Sequence, residues 1–164
     1  MLRKLFVVAA IGLLPTLAMA QPKGDEWDFN LNASGASSTD FDGNAIAVNF
    51  SVGKYLTKDL LVAVRQTVAF ADSDTTSSNW NASTYAVVDY HFDLDAWRPF
   101  IGANIGYAYG DIDQDSWIAG LEAGVKYYVN SSTYVYGMVQ YQFLLQESFG
   151  DGQWVYAFGI GFIK

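Results

Sequence analysis

The chain has 164 residues, of which 51% are hydrophobic and 16% aromatic, with a formal net charge of -8 and no cysteine. This length suits one domain, and the negative charge argues against nucleic acid as a partner. Without cysteine, disulfide bonds are excluded as a source of stability. A closed β-barrel is another source, because its backbone hydrogen bonds satisfy one another and leave no free edge.

Residues 1–20 have the features of a secretory signal peptide. Arg3 and Lys4 give a basic start, an apolar run follows, and Ala18-Met19-Ala20 fits the A-x-A cleavage pattern. The run is shorter than the ~20 residues that a membrane-spanning helix needs. We therefore expect a cleaved signal peptide followed by one exported domain, residues 21–164. A buried N-terminal helix is the alternative interpretation of this run.

Eight segments of the mature chain alternate apolar and polar residues, which is typical of strands with one face of each kind. In the first segment Trp27, Phe29 and Leu31 form the apolar face, and Asp28 and Asn30 the polar face. Each segment is about ten to thirteen residues long, which suits tilted transmembrane strands of about 9–11 residues better than soluble strands of about five or six. The segments span about 26–35, 45–55, 60–70, 82–92, 98–109, 117–129, 133–144 and 153–163.

We predict an all-β fold: an eight-stranded antiparallel up-and-down transmembrane β-barrel, with apolar side chains towards lipid and polar side chains in the lumen. Gln66 interrupts the apolar face of the third segment, and the sequence offers no reason for it. Short turns face the periplasm and longer loops the outside in this architecture, so both termini would be periplasmic. The predicted turns are 56–59, 93–96 and 130–132, and the predicted loops are 36–44, 71–81, 110–116 and 145–152.

All five tryptophans fall at the ends of predicted strands. Trp27 and Trp97 fall at the periplasmic edge, and Trp80, Trp117 and Trp154 at the outer edge. Two such rings are the aromatic girdles expected where a barrel meets the two membrane interfaces. No acidic or basic residue occupies an outward position within the predicted lipid band.

Four charged residues point into the predicted lumen: Arg65, Asp89, Glu122 and Lys126. Arg65 and Glu122 fall near the middle of the barrel, and Asp89 and Lys126 lie nearer the periplasm. An eight-stranded barrel is just wide enough to be filled by its own side chains, and buried charges need partners. We interpret the four as a structural plug that closes the lumen.

The predicted outer loops carry nine carboxylates and no Lys or Arg. Three of them, at 111, 113 and 115, resemble the opening of a calcium loop, but its glycine and distal glutamate are missing. We predict an acidic rim among lipopolysaccharide molecules bridged by divalent cations, with no specific metal site. The carboxylates belong to Asp40, Asp42, Asp72, Asp74, Asp111, Asp113, Asp115, Glu147 and Asp151.

The sequence gives little support to an enzyme. A serine hydrolase triad needs a serine, a histidine and an orienting carboxylate. The single histidine, His91, precedes a predicted periplasmic turn, and the residues directly after it are Phe92 and Asp93. The chain also has no phosphate-binding loop and no metal-ligand pattern. We therefore expect no catalysis, no cofactor and no metal.

Four stretches carry a likeness to a known family: the strand–turn–strand junction 53–60, the pair 90–92 and 98–103, the segment 120–128, and the terminal 158–162. Through them the chain resembles the small outer-membrane β-barrel family typified by the OmpA membrane domain and OmpX. The resemblance implies an integral protein of the outer membrane. It also implies lumen Arg–Glu pairs that can switch partners, so a gated ion path is the alternative to a plug.

The resemblance also implies an insertion signal in the last strand, read by the barrel-assembly machinery. In this family the signal places aromatic or apolar residues at alternate positions and ends in Phe, whereas here Ile163 and Lys164 follow that Phe. The residues that fit the signal are Trp154, Tyr156, Phe158, Ile160 and Phe162.

We therefore expect a structural and surface-interaction protein of the outer membrane. Its partners would be membrane lipid, lipopolysaccharide and the assembly machinery, with no nucleic acid, and it would be a monomer. A narrow pore or small-molecule channel is the first alternative. A soluble periplasmic binder resembling lipocalins is the second, and it would turn its apolar face inward instead of outward.

Overall fold

The computed structural model describes residues 22–38, 44–73, 76–110, 116–146 and 149–164, with the backbone alone at 36–38, 44–46, 70–73 and 76–79. The predicted signal peptide lies outside the described residues. Within them, eight antiparallel strands form one closed barrel, as the alternation predicted. The strands are β1 (Trp27–Ser38), β2 (Asn44–Tyr55), β3 (Leu60–Ser73), β4 (Thr76–His91), β5 (Trp97–Gly110), β6 (Ser116–Tyr128), β7 (Thr133–Leu144) and β8 (Gln153–Ile163).

Each strand pairs with its neighbour in sequence, and β8 closes the barrel against β1. At one end of this seam Trp27 and Lys164 exchange two backbone hydrogen bonds, of 2.7 and 2.9 Å. Because the ring is complete, its strands have no free edge, which is the condition for a sheet to cross a bilayer. Among the described residues, no helix is long and apolar enough to span a membrane.

The apolar half of the alternation faces outward and the polar half faces the lumen. On β1, Trp27 and Leu31 are 48% and 51% exposed, whereas the neighbouring Asp28 and Asn32 are buried. An outer surface this rich in large apolar side chains requires hydrocarbon around it. The arrangement is the reverse of a soluble binder, so that alternative is wrong.

The hairpin between β3 and β4 differs from the prediction. We expected a polar loop over 71–81, but β3 continues to Ser73 and β4 begins at Thr76, so only residues 74–75 separate them. Trp80 therefore lies inside β4, paired with Phe70, and not at a strand end. The sequence here lacks an apolar face, but a strand beyond the lipid band needs none, because its backbone ladder forms whatever the side chains are.

The opposite end of the barrel has the short turns that the sequence predicted, and local polar side chains hold two of them. In the β2–β3 turn, the hydroxyl oxygen of Thr57 accepts hydrogen bonds from the backbone N–H groups of Asp59 and Leu60. In the β6–β7 turn, Asn130 Oδ1 accepts them from Ser132 and Thr133. Ser, Thr and Asn favour turns through such bonds.

At the other, outer end, the connection between β7 and β8 contains a short 3-10 helix, Phe149–Asp151.

Candidate functional site in the lumen

A salt bridge crosses the middle of the lumen between β3 and β6. Arg65 Nη1 and Nη2 donate to the Glu122 carboxylate at 3.0 and 2.8 Å, and both side chains are buried. Asn104 on β5 donates a further hydrogen bond of 2.6 Å to Glu122. Bidentate pairing is the strongest form of arginine–carboxylate contact. The structure therefore brings these two predicted lumen residues together at the barrel centre.

Asp89, the third predicted lumen residue, lies beside this pair. It is buried on β4, and its side chain lies over Gly102 of β5, where a Cβ atom would be 1.9 Å from Asp89 Oδ1. Gly102 pairs with Asp89 on one side and with Glu122 of β6 on the other. Glycine at 102 therefore leaves room for the Asp89 carboxyl group on the side of Glu122.

Lys126 is the fourth predicted lumen residue. It belongs to a separate layer of side chains nearer the predicted periplasmic end. Its Nζ donates to Asp28 Oδ2 at 2.9 Å and to the Tyr55 hydroxyl at 3.2 Å, and it lies 4.5 Å from the centre of the Tyr134 ring. The Tyr134 hydroxyl also donates to Asp28. The alternation predicted that Asp28 points into the lumen, but it did not identify Asp28 as the partner of Lys126.

A third charged layer closes the same end and includes a residue that sequence reasoning missed. Arg98 is fully buried, and its Nη2 donates to the Lys58 carbonyl oxygen at 2.7 Å and to Asp59 at 3.0 Å. Arg98 lies an even number of residues before the inward Gly102 on the same strand, so the alternation could have identified it as an inward residue. His91 is also fully buried, with its ring 5.2 Å from that of Phe100.

Above the Arg65–Glu122 pair, amides and hydroxyls fill the lumen with a hydrogen-bonded network. Asn49 Nδ2 donates to Asn32 at 2.6 Å and to Ser34 at 2.8 Å. The Tyr136 hydroxyl donates to Asn30 at 2.9 Å and contacts Asn32. Because buried polar groups are costly unless they are paired, this network stabilises a filled interior.

Among the described residues, two cavities lie towards the outer end. One, of about 30 Å³ and large enough for about two water molecules, lies directly above Arg65. The other, of about 240 Å³, lies at the mouth of the barrel. Gln142 lines both of them. The mouth is lined by Ala108, Ser116, Ile118, Gln142, Phe143, Leu144, Asp151 and Gln153.

The structure explains the outward-facing Gln66. Its Nε2 donates to the Tyr109 hydroxyl at 3.0 Å and to the Thr67 carbonyl oxygen at 3.1 Å, and Thr84 donates to its Oε1 at 2.6 Å. Both amide protons therefore have acceptors within the barrel wall. This pairing removes most of the cost of placing an amide against hydrocarbon.

The five tryptophans lie on the outer surface, with exposures between 37% and 52%. Trp97 packs against Tyr127, with ring centres 4.6 Å apart. Trp154 packs against Tyr141 at 4.8 Å. Trp27 lies under the ammonium group of Lys54, 5.6 Å from it. Exposed rings with polar neighbours suit the membrane interface. Their role as girdles stays a prediction.

The terminal strand presents its predicted signal residues outward. Phe158 is the most exposed, at 74%, and Phe162 stacks on Phe29 across the β1–β8 seam with ring centres 5.5 Å apart. Recognition by the assembly machinery stays a prediction. The residues that face outward are Trp154, Tyr156, Phe158, Ile160 and Phe162.

Most of the predicted outer carboxylates lie outside the described residues. Asp151 is exposed at the end of the 3-10 helix. Asp72 belongs to β3, but only its backbone is described. Within the described parts of the chain, no three His, Cys, Asp or Glu side chains are grouped as metal ligands. The remaining residues lie outside those parts: Asp40, Asp42, Asp74, Asp111, Asp113, Asp115 and Glu147.

A closed eight-stranded barrel with an apolar outer surface and a hydrogen-bonded polar interior defines a class, the transmembrane β-barrels of outer membranes. Residues 6–163 match the model of the outer membrane protein beta-barrel domain. The chain therefore belongs to this family and is a protein of the outer membrane. The family resemblance that the sequence indicated is confirmed. A search of characterised protein sequences finds no match.

Solved structures share the fold at low sequence identity. The N-terminal barrel domain of Pseudomonas aeruginosa OprF matches with a TM-score of 0.61 and 23% identity, over 84% of this chain and 97% of that one. Neisserial surface protein A matches with a TM-score of 0.63 and 20% identity, over 85% and 97%. Ail, the attachment invasion locus protein of Yersinia pestis, gives 0.52 and 13%, over 87% and 99%. At these identities the likeness concerns the fold alone.

Proposed function

We propose that this outer-membrane barrel is a structural, non-conducting protein without catalytic activity. The observation that carries the proposal is the closure of the lumen by the Arg65–Glu122 salt bridge, which spans from β3 to β6 at mid-barrel. Opening the lumen there would separate two buried charges. A buried charge without its partner is destabilising, so the paired, closed arrangement is favoured over one in which the two side chains separate within the lumen.

The layers below the salt bridge add to this support. Lys126 with Asp28, and Arg98 with Asp59, form two further ion pairs at 2.9 and 3.0 Å. Tyr55, Tyr128 and Tyr134 fill the space around them and are 0–1% exposed. An ion that passed the middle of the barrel would therefore meet a second charged and packed layer.

Conductance across a planar lipid bilayer tests the proposal. We expect near-zero conductance from the wild-type protein and from Glu122→Ala, because the lower layers stay closed when the central pair is broken. Asp93→Ala, in a turn between β4 and β5, is the control for nonspecific effects of removing a carboxylate. Single-channel openings in the wild-type protein would contradict the proposal.

A narrow gated pore is the second candidate, and the two cavities favour it. They lie between the outer mouth and Arg65, and Gln142 lines both of them. The same recording distinguishes the candidates. A pore gated by the central pair would stay closed in the wild-type protein and open in Glu122→Ala, with Asp93→Ala still closed.

We also propose that the protein is a monomer that contacts membrane lipid and lipopolysaccharide, presents its outer loops for surface interactions, and needs the assembly machinery for insertion. Two proteins with the same fold, Neisserial surface protein A and the attachment invasion locus protein Ail, carry names that support the surface role. Depleting the assembly machinery in cells should leave the chain without its SDS-resistant, heat-modifiable form. Normal folding after depletion would remove this part of the proposal.

A further inference from the structure

The described part of the lumen contains one buried carboxyl group that no cation pairs with. Asp89 is buried there and forms no salt bridge, and its Oδ1 has no hydrogen-bond partner. Every lumen cation in the described strands is already engaged. The ion pairs are Arg65 with Glu122, Lys126 with Asp28, and Arg98 with Asp59.

The register of the sheet sets the position of Asp89. Gly102 of β5 pairs with Asp89 on one side and with Glu122 on the other. Because glycine has no side chain, the Asp89 carboxyl group lies over it, and Glu122 is on the strand at its other side. Two ionised carboxyl groups that flank one glycine repel each other, and a hydrogen bond between them needs a proton.

The groups around Asp89 leave it no free cation. Arg65 from β3 and Lys126 from β6 act on it electrostatically, but each holds another carboxylate. Tyr55 from β2 is a further titratable group that interacts with Asp89 electrostatically, and His91 lies two residues away on the same strand. A buried, unpaired carboxylate next to a second carboxylate would be strongly destabilising.

We propose that Asp89 and Glu122 hold one proton between them, so that the pair carries a single negative charge, which Arg65 neutralises. Asp89 is the neutral member and donates a hydrogen bond to Glu122. Every buried charge in the described part of the lumen then has a partner.

Replacing each carboxyl group by its amide tests the proposal. Asp89→Asn keeps the shape and can still donate a hydrogen bond, so we expect its urea unfolding midpoint in lipid vesicles to equal or exceed that of the wild-type protein. Glu122→Gln is the matched change at the other carboxyl, and its midpoint should fall because Arg65 loses its carboxylate. A midpoint for Asp89→Asn below that of the wild-type protein would overturn the proposal.

A direct measurement does not depend on how the variants fold. The protein labelled with ¹³C at its aspartate carboxyl carbons, in detergent micelles at neutral pH, should give an Asp89 resonance at the position of a protonated acid. Asp25, an exposed carboxylate paired with Lys54, is the internal reference for the ionised form. An Asp89 resonance at the ionised position would overturn the proposal.

Discussion

At the residue scale, the Lys126–Asp28 pair should contribute strongly to stability. Lys126→Met keeps the length of the side chain but leaves Asp28 buried without its cation. We expect a loss of about 3–5 kcal/mol in the free energy of unfolding, measured by urea titration in lipid vesicles. The double variant Lys126→Met/Asp28→Asn should recover part of this loss, because it leaves no unpaired buried charge.

The chain offers a matched control on its surface. Lys54 contacts Asp25 at 2.6 Å, and this contact lowers the pKa of the Asp25 carboxyl, but the pair is exposed to solvent. Exposed pairs contribute little, because water screens them. Lys54→Met should leave the unfolding midpoint unchanged. If it lowered the midpoint as much as Lys126→Met, burial would not be the cause of the lumen effect.

At the element scale, the alternation predicted eight strands, their order and the face that each side chain takes, because lipid and lumen make opposite demands at successive positions. The alternation did not predict the extended β3–β4 hairpin. Residues there, such as Asn79, lie beyond the lipid band, where an outward side chain need not be apolar. The alternation also could not pair Lys126 with Asp28, which lie 98 residues apart. Alternation indicates inward or outward, but the contacts across the lumen depend on the register of the whole barrel.

The middle of β4 and its end near the hairpin should respond differently to proline. Ala86 lies at mid-strand, paired with Val64 and Ile105, whereas Asn79 lies near the hairpin end and, among the described residues, pairs with β3 alone. Proline removes a ladder donor in either place, but water can replace the lost partner only beyond the lipid band. We expect Asn79→Pro to refold into a heat-modifiable form and Ala86→Pro to fail. Equal refolding of both variants would mean that β4 does not cross the hydrocarbon as described.

At the scale of the whole molecule, the barrel inverts the usual distribution of polarity, and its lack of cysteine makes this testable. Single cysteines introduced at Val64, Leu121 and Phe158, which are 57%, 57% and 74% exposed, should react with a thiol probe dissolved in the lipid phase. A cysteine at the buried Gln140 should stay protected, because the sheet separates it from hydrocarbon. Probe incorporation into refolded protein in vesicles measures both. Labelling at position 140 with protection at the other three would mean that the polar face meets the lipid. A stable barrel does not allow this, because so many hydrogen-bonding groups would lose their water or protein partners in hydrocarbon.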